Sequence, residues 1–150
     1  MELLEQRILA DGKLLPGGIL KVDNFLNHQM DPQLLQAMAR EFKRLFDGAG
    51  VNRVLTIEAS GIAIAILVGL EFSCPVVFAK KSKTKNISDD FYQAKVPSFT
   101  HGNVNTVVGA GVAIEKVFQG GGNQLRSEGM RVESLAKIAA MDDDGIRFER

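Results

Sequence analysis

The chain holds a single cysteine, Cys74, among 150 residues, so no internal disulfide can brace it. That cysteine stands just before an apolar stretch and reads as a small core residue. An excess of either charge is also missing: 18 basic and 18 acidic side chains give a formal net charge of zero. A nucleic-acid coat protein would carry a basic surplus, so that class is disfavoured. No apolar run approaches the ~20 residues needed to cross a bilayer. Met1-Glu-Leu-Leu-Glu-Gln-Arg7 is amphipathic and mixed in charge, which is not the pattern of a signal peptide. Neither a Walker phosphate loop nor a nucleophile elbow occurs. His28 and His101 lack the spaced Cys, His or carboxylate partners of a zinc site and read as surface or hydrogen-bonding residues. Asp142-Asp-Asp144 runs into Gly145 and reads as a solvated turn, and Asp89-Asp90 falls in a polar stretch. There are no repeats and no low-complexity segment. What is present is one domain by length, with 45% hydrophobic residues to fill a core and 24% charged residues to solvate the outside. These features together suggest a soluble, cytoplasmic protein with no membrane or nucleic-acid partner.

Local signals divide the chain into elements. Met1 to Ala10 reads as a short helix that Asp11-Gly12 stops. Leu14 to Leu20 is turn-rich and partly extended, and Lys21 to Gln29 shows no clean period. Asp31-Pro32 is a strong helix start, and Leu34, Leu35, Met38, Phe42, Leu45 and Phe46 form the buried stripe of that helix, with Gly48 as its stop. Residues 53–58 and 75–80 are near-continuous apolar runs, as parallel strands covered on both faces require. Ile62 to Leu70 is apolar nearly all round and predicts a buried helix. Ser82 to Ala94 is polar without period and reads as a loop. Phe91 to Phe99 alternates weakly, consistent with part of a hairpin, and Val104 to Lys116 predicts one strand. Gly120-Gly-Gly-Asn123 opens a short helix, Met130 to Ile138 is a strand, and Ile146 to Arg150 closes the chain as another.

The segment from Arg53 to Lys83 concentrates the chemistry. An apolar strand, Arg53-Val-Leu-Thr-Ile57, leads into Glu58-Ala59-Ser60-Gly61, a small-residue helix, and a second strand ending in Lys80-Lys81-Ser-Lys83. Such a unit puts backbone N–H groups and a helix N-terminus at the carboxyl edge of a parallel sheet, where anions are favoured and open α/β sheets bind ligands. The lysines, Lys85 included, add cations at the same edge. Together they point to a phosphate or pyrophosphate site, although both the turn and the lysine cluster also fit a plain solvated loop.

Several strings then resemble one family. Leu20-Lys-Val-Asp-Asn-Phe-Leu-Asn-His-Gln29, Ile57-Glu-Ala-Ser-Gly-Ile-Ala63, Val76-Val-Phe-Ala-Lys-Lys81, Ser98-Phe-Thr100, Ile114-Glu-Lys-Val-Phe-Gln119 and Arg131-Val-Glu-Ser-Leu-Ala136 are similar, in order and over nearly the whole chain, to bacterial xanthine phosphoribosyltransferases. The resemblance implies the type I phosphoribosyltransferase fold: an α/β domain with a parallel sheet flanked by helices. A small hood would come from about residues 1–30 and 117–150, over a core of about 31–116. It implies a pentosyltransferase of purine salvage that joins xanthine to phosphoribosyl pyrophosphate, giving xanthosine monophosphate and pyrophosphate. The enzyme would be a homodimer, with Mg2+ carried on the pyrophosphate. By matched position, Leu20, Asn27 and Lys116 would bind xanthine. Lys116 would meet an exocyclic oxygen, which suits a side chain with three donors and no acceptor and disfavours amino-purines. Glu58, Ala59, Ser60 and Gly61 would form the pyrophosphate turn. Lys80, Lys81 and Lys83 would neutralise the leaving group, and Ser98, Phe99 and Thr100 would end a lid.

One departure is large. The family's apolar strand with an acidic pair, opening a 5′-phosphate loop and a helix, has no counterpart here. Val104-Asn-Thr-Val-Val108 runs directly into Gly109-Ala-Gly-Val112, so a unit on the scale of a βα repeat (about 30 residues or more) is missing between Val108 and Gly109. A deletion, a segment the native molecule carries, and a degenerate paralogue are all compatible with the residues. Loss of a central strand predicts a gap in the sheet, with unpaired backbone and exposed apolar faces. A chain truly lacking the loop is expected to bind purine with little or no turnover. Smaller departures are Ala59 in the turn and Lys80 where arginine is common. A non-catalytic purine-binding regulator on the same fold is the alternative, though no added DNA-binding element is present. A generic anion-binding α/β protein would explain the first site but not the hood strings.

Overall fold

Asp31 and Pro32 open the longest described helix, as their chemistry requires. The Asp31 carboxylate accepts from the backbone N–H groups of Gln33 (3.0 Å) and Leu34 (3.1 Å), satisfying two donors that α2 (Pro32–Leu45) cannot pair internally. Leu34, Leu35, Met38 and Phe42 are buried along one face of α2, as the spacing predicts; Phe46 is buried just beyond it. A computed structural model of the chain describes residues 1–79, 107–142 and 144–149.

Before α2, helix α1 (Glu2–Asp11) ends at Gly12 and leads into a hairpin of β1 (Lys13–Leu15) and β2 (Ile19–Lys21), paired Leu14 to Leu20. The aperiodic stretch after it is one turn of π-helix, Asp23–Asn27, which buries Phe25 and Leu26 and leaves Asn27 exposed. After α2 come β3 (Val54–Ile57), α3 (Gly61–Phe72) and β4 (Val76–Ala79), with β3 and β4 parallel in the register Val54 to Val76. Later, β5 (Ala110–Lys116) pairs in parallel with β6 (Val132–Asp142), and a 3-10 turn (Val117–Gln119) and α4 (Gly121–Ser127) connect the two. Strand β6 then pairs antiparallel with β7 (Gly145–Phe148). The core lies between α1, α2 and the β5–β6–β7 sheet, where Leu4, Ile8, Phe25, Met38, Leu135 and Ile138 are fully buried.

The mixed α/β class with parallel strands is as expected, but three sequence expectations need correction. The strand expected over Val104–Lys116 begins only at Ala110, because its partner β6 begins at Val132 and the ladder opens with Ala110 N–H donating to the Arg131 carbonyl. Residues 104–106 lie outside the described part of the chain. The helix expected to be buried, α3, leaves Ile66 56% and Leu70 68% exposed. The strands expected to be covered on both faces leave Leu55 72% and Ile57 62% exposed, while Val54 and Thr56 alternate inward. The last two have one cause. Among the described residues β4 pairs only with β3 and β5 only with β6, so the strands form separate sheets, and α3 covers a single face of its pair.

Candidate active site

Strand β5 ends in Glu115 and Lys116, and the hairpin, the π-turn and β5 converge on that end. Leu20 from β2, Asn27 from the π-turn and Lys116 from β5 line one pocket of about 310 Å3, with Val22, Leu26, Val112 and Ile114 as its apolar wall. That size falls within the range of small-molecule sites, and an apolar wall with few polar groups is their usual make-up. The hairpin turn carries Gly17 and Gly18 at φ 82° and 69°, which glycine alone adopts without strain. This turn brings the Gly18 carbonyl within 2.9 Å of Lys116 Nζ, which donates to it. One of the three ammonium donors is thereby engaged, and two remain for a ligand acceptor. The structure thus brings Leu20, Asn27 and Lys116 together from separate elements.

The side chain before Lys116 belongs to a polar cluster with little trace in the sequence. Glu115 is only 6% exposed. Arg126 of α4 holds it through two parallel hydrogen bonds, Nη1 to Oε1 and Nη2 to Oε2, each 2.8 Å. The Ser134 hydroxyl of β6 donates to Oε2. The Arg126 guanidinium, helped by Ser134 and opposed by burial, holds the Glu115 carboxyl down at about 2, and Arg126 is raised in turn. The only hint in sequence is a carboxylate inside an otherwise apolar strand, where an unpaired charge is costly.

The Glu58–Gly61 turn lies elsewhere, between β3 and α3. Glu58 N–H donates to the Ala79 carbonyl at 3.0 Å, which sets the end of β4 against the start of the turn. Ala59 and Ser60 are exposed, and Ser60 makes no side-chain cap. A Cβ on Gly61 would come within 2.3 Å of Thr56 Oγ1, so the tight approach of the turn to β3 needs glycine there. Lys80, Lys81 and Lys83, and the lid residues Ser98, Phe99 and Thr100, fall outside the described residues. Among the described residues, no group of three or more His, Cys, Asp or Glu side chains could hold a metal ion. No described helix is long and apolar enough to cross a membrane.

No family model matches the chain. Curated proteins do. The chain is 41% identical to a xanthine phosphoribosyltransferase of Finegoldia magna over 189 residues, covering 99% of this chain and 100% of that protein. It is 40% identical to proteins of the same name from Lactiplantibacillus plantarum and Ectopseudomonas mendocina, over 99% of this chain and 96% and 99% of theirs. An alignment of 189 positions against 150 residues leaves at least 39 positions (189 less 150) that face no residue of this chain. That total is on the scale of one strand–helix unit. On these identities and coverages, the chain belongs to the xanthine phosphoribosyltransferase family.

Proposed function

We propose that the chain acts in purine salvage, taking xanthine into the Leu20–Asn27–Lys116 pocket for transfer of a phosphoribosyl group. The observation that carries this reading is the convergence of those three side chains, with Lys116 keeping ammonium donors beyond its bond to the Gly18 carbonyl. Xanthine is rich in oxo acceptors. An amino-purine would turn a donor toward Lys116, leaving two donors facing each other in a partly desolvated site. The hood of residues 1–30 and 117–150 over a core of 31–116 is part of the same proposal, as are a homodimer and a cytoplasmic location.

The reaction joins a purine ring nitrogen to the anomeric carbon of phosphoribosyl pyrophosphate while the bond from that carbon to pyrophosphate breaks. Positive charge grows on the ribose and negative charge on the leaving group. The chain's own residues would act by position and charge rather than by covalent chemistry. Leu20 and the apolar wall hold the ring, and Lys116 and Asn27 orient it. The Glu58 to Gly61 turn would receive the pyrophosphate through the amides of Ala59, Ser60 and Gly61, since Glu58 N–H already donates to the Ala79 carbonyl, with Lys80, Lys81 and Lys83 neutralising it. Residues 98–100 would help to exclude water. Magnesium would arrive on the substrate's pyrophosphate and shield its charge.

The acidic pair and 5′-phosphate loop have no counterpart between Val108 and Gly109, so binding and turnover are expected to separate. Calorimetry with xanthine should show saturable binding, while a turnover assay with phosphoribosyl pyrophosphate should show little or no xanthosine monophosphate. Full turnover by the 150-residue chain would refute the second part. Absence of xanthine binding would refute the first. Binding without turnover would also suit a non-catalytic purine sensor, and a gel-shift with DNA separates that case.

A further inference from the structure

Glu115 and Lys116 are consecutive on β5, and successive strand residues point to opposite faces. Each is anchored by a different part of the molecule. Lys116 faces the pocket and reaches the Gly18 carbonyl of the hairpin. Glu115, behind it, ties three elements together: β5 itself, α4 through the paired bonds from Arg126, and β6 through Ser134. Arg126 also reaches Asn123 Oδ1 of its own helix at 3.3 Å and the Val132 carbonyl at the start of β6 at 3.5 Å. A Cβ at Gly122 would fall 1.8 Å from Glu115 Oε1, so α4 can lie this close to the carboxylate only with glycine at that place.

A buried ion pair is a poor device for stability, because desolvation offsets most of its attraction and well-packed apolar residues serve as well. Its distinctive property is direction: a bidentate guanidinium–carboxylate pair fixes both orientation and distance. Here the fixed point is the last turn of the pleat before the strand ends at Lys116. We infer that the Glu115–Arg126–Ser134 cluster is a positioning device, holding the end of β5 so that the Lys116 ammonium meets an oxo group of the bound base. This rests on the reading of Lys116 as the base-binding lysine and assigns the residues that aim it.

The test measures binding of two probes, xanthine and unsubstituted purine, by NMR titration or calorimetry. It uses the intact chain and its Glu115→Gln, Arg126→Lys and Ser134→Ala variants. Purine shares the ring but has no exocyclic oxygen for Lys116 to reach. Glu115→Gln and Arg126→Lys should weaken xanthine by about 10-fold and Ser134→Ala by about 2- to 3-fold, with purine changed by less than about 2-fold in each. Equal weakening of both probes, as a merely structural cluster would give, overturns the inference, and so does no change in either. Should Glu115→Gln fail to fold, Ser134→Ala keeps the ion pair and carries the same comparison. If the unaltered chain fails to bind xanthine, the pocket reading falls and takes this one with it. If the unaltered chain binds xanthine and the variants bind it equally well, only the positioning role falls.

Discussion

The two halves of the described fold differ in how well they cover their apolar surface. Around the Leu20–Asn27–Lys116 pocket, α1, the π-turn, α2 and the β5–β6–β7 sheet enclose a core in which Phe25, Met38 and Ile138 are fully buried. In the β3–α3–β4 unit, Ala65 alone is a buried hydrophobic residue, and Leu55, Ile57, Ile66, Leu70, Val77 and Phe78 are exposed. The helix of the second half, GIAIAILVGLEF, is more apolar than α1 or α2, so composition does not account for the difference. Neighbours do. The first half has a helical layer against its sheet. The second has a helix on one face of a two-stranded pair and, among the described residues, nothing on the other. The alignments with the relatives run to at least 38 more positions (188 less 150) than this chain has residues. A strand and a helix of that length would supply both a partner for an open edge and a cover for the bare face. The lesson is that the half around the Leu20–Asn27–Lys116 pocket covers its own apolar surface, with α3 packed against its core, whereas among the described residues the β3–β4 pair leaves one face bare.

The largest effect that sharpens this contrast is catalytic. Xanthosine monophosphate formation should run at least about 10^3-fold slower than in a full-length relative assayed alongside, since whole sets of phosphate-binding amides are worth more than the 10^2–10^3 of a single preorganised donor. Stability should split along the same line. Phe25→Ala or Ile138→Ala should cost about 2–5 kcal/mol in urea unfolding, through lost burial and the cavity left behind. Leu55→Ala or Leu70→Ala should change it by less than about 0.5 kcal/mol. Equal costs in the two halves would break the comparison by showing that the second is covered in solution.

Acid should act through the first half. The folded-state value of Glu115 lies below its ordinary one, so its contribution is present above the unfolded value near 4.5 and is lost as pH falls toward about 2. Stability should therefore drop by on the order of 3 kcal/mol between pH 5 and pH 2 from this group, by the usual linkage of about 1.4 kcal/mol per pH unit. Glu115→Gln should flatten that limb in pH-dependent melts. The smallest expected effect is colloidal. Leu55→Ser with Val77→Ser should leave unfolding within about 0.5 kcal/mol yet lower light scattering at high concentration, because exposed apolar strand faces drive association. Unchanged scattering would mean that the exposed strands do not associate.

Much of this was legible because the deciding interactions are local. Asp31-Pro32 start a helix with a side-chain cap and a fixed φ, and both act within three residues. The strand–helix–strand order of residues 54–79 follows from short apolar runs around a longer one. The π-turn at Asp23–Asn27 was not legible, since wider i to i+5 bonding leaves no residue signature of its own. Nor were the short strands β1 and β2, each three residues long, too brief for alternation to register. The burial expected of Ile66 and Leu70 failed because side-chain chemistry encodes a preferred environment, while neighbours far along the chain decide whether it exists. At the site, resemblance named Leu20, Asn27 and Lys116, and the fold brings them to one pocket. Arg126 and Ser134 escaped notice because pairing with Glu115 is a tertiary fact, with separations of 11 and 19 residues.

The account stands most directly on whether an ammonium group selects an oxo-purine at the end of β5. A calorimetric comparison of xanthine with adenine, on the unaltered chain and on Lys116→Met, tests that in one experiment. The unaltered chain should bind xanthine at least about 10-fold more tightly than adenine, and Lys116→Met should remove most of the difference. Equal affinity for the two bases, or a preference that survives loss of the lysine, would contradict it.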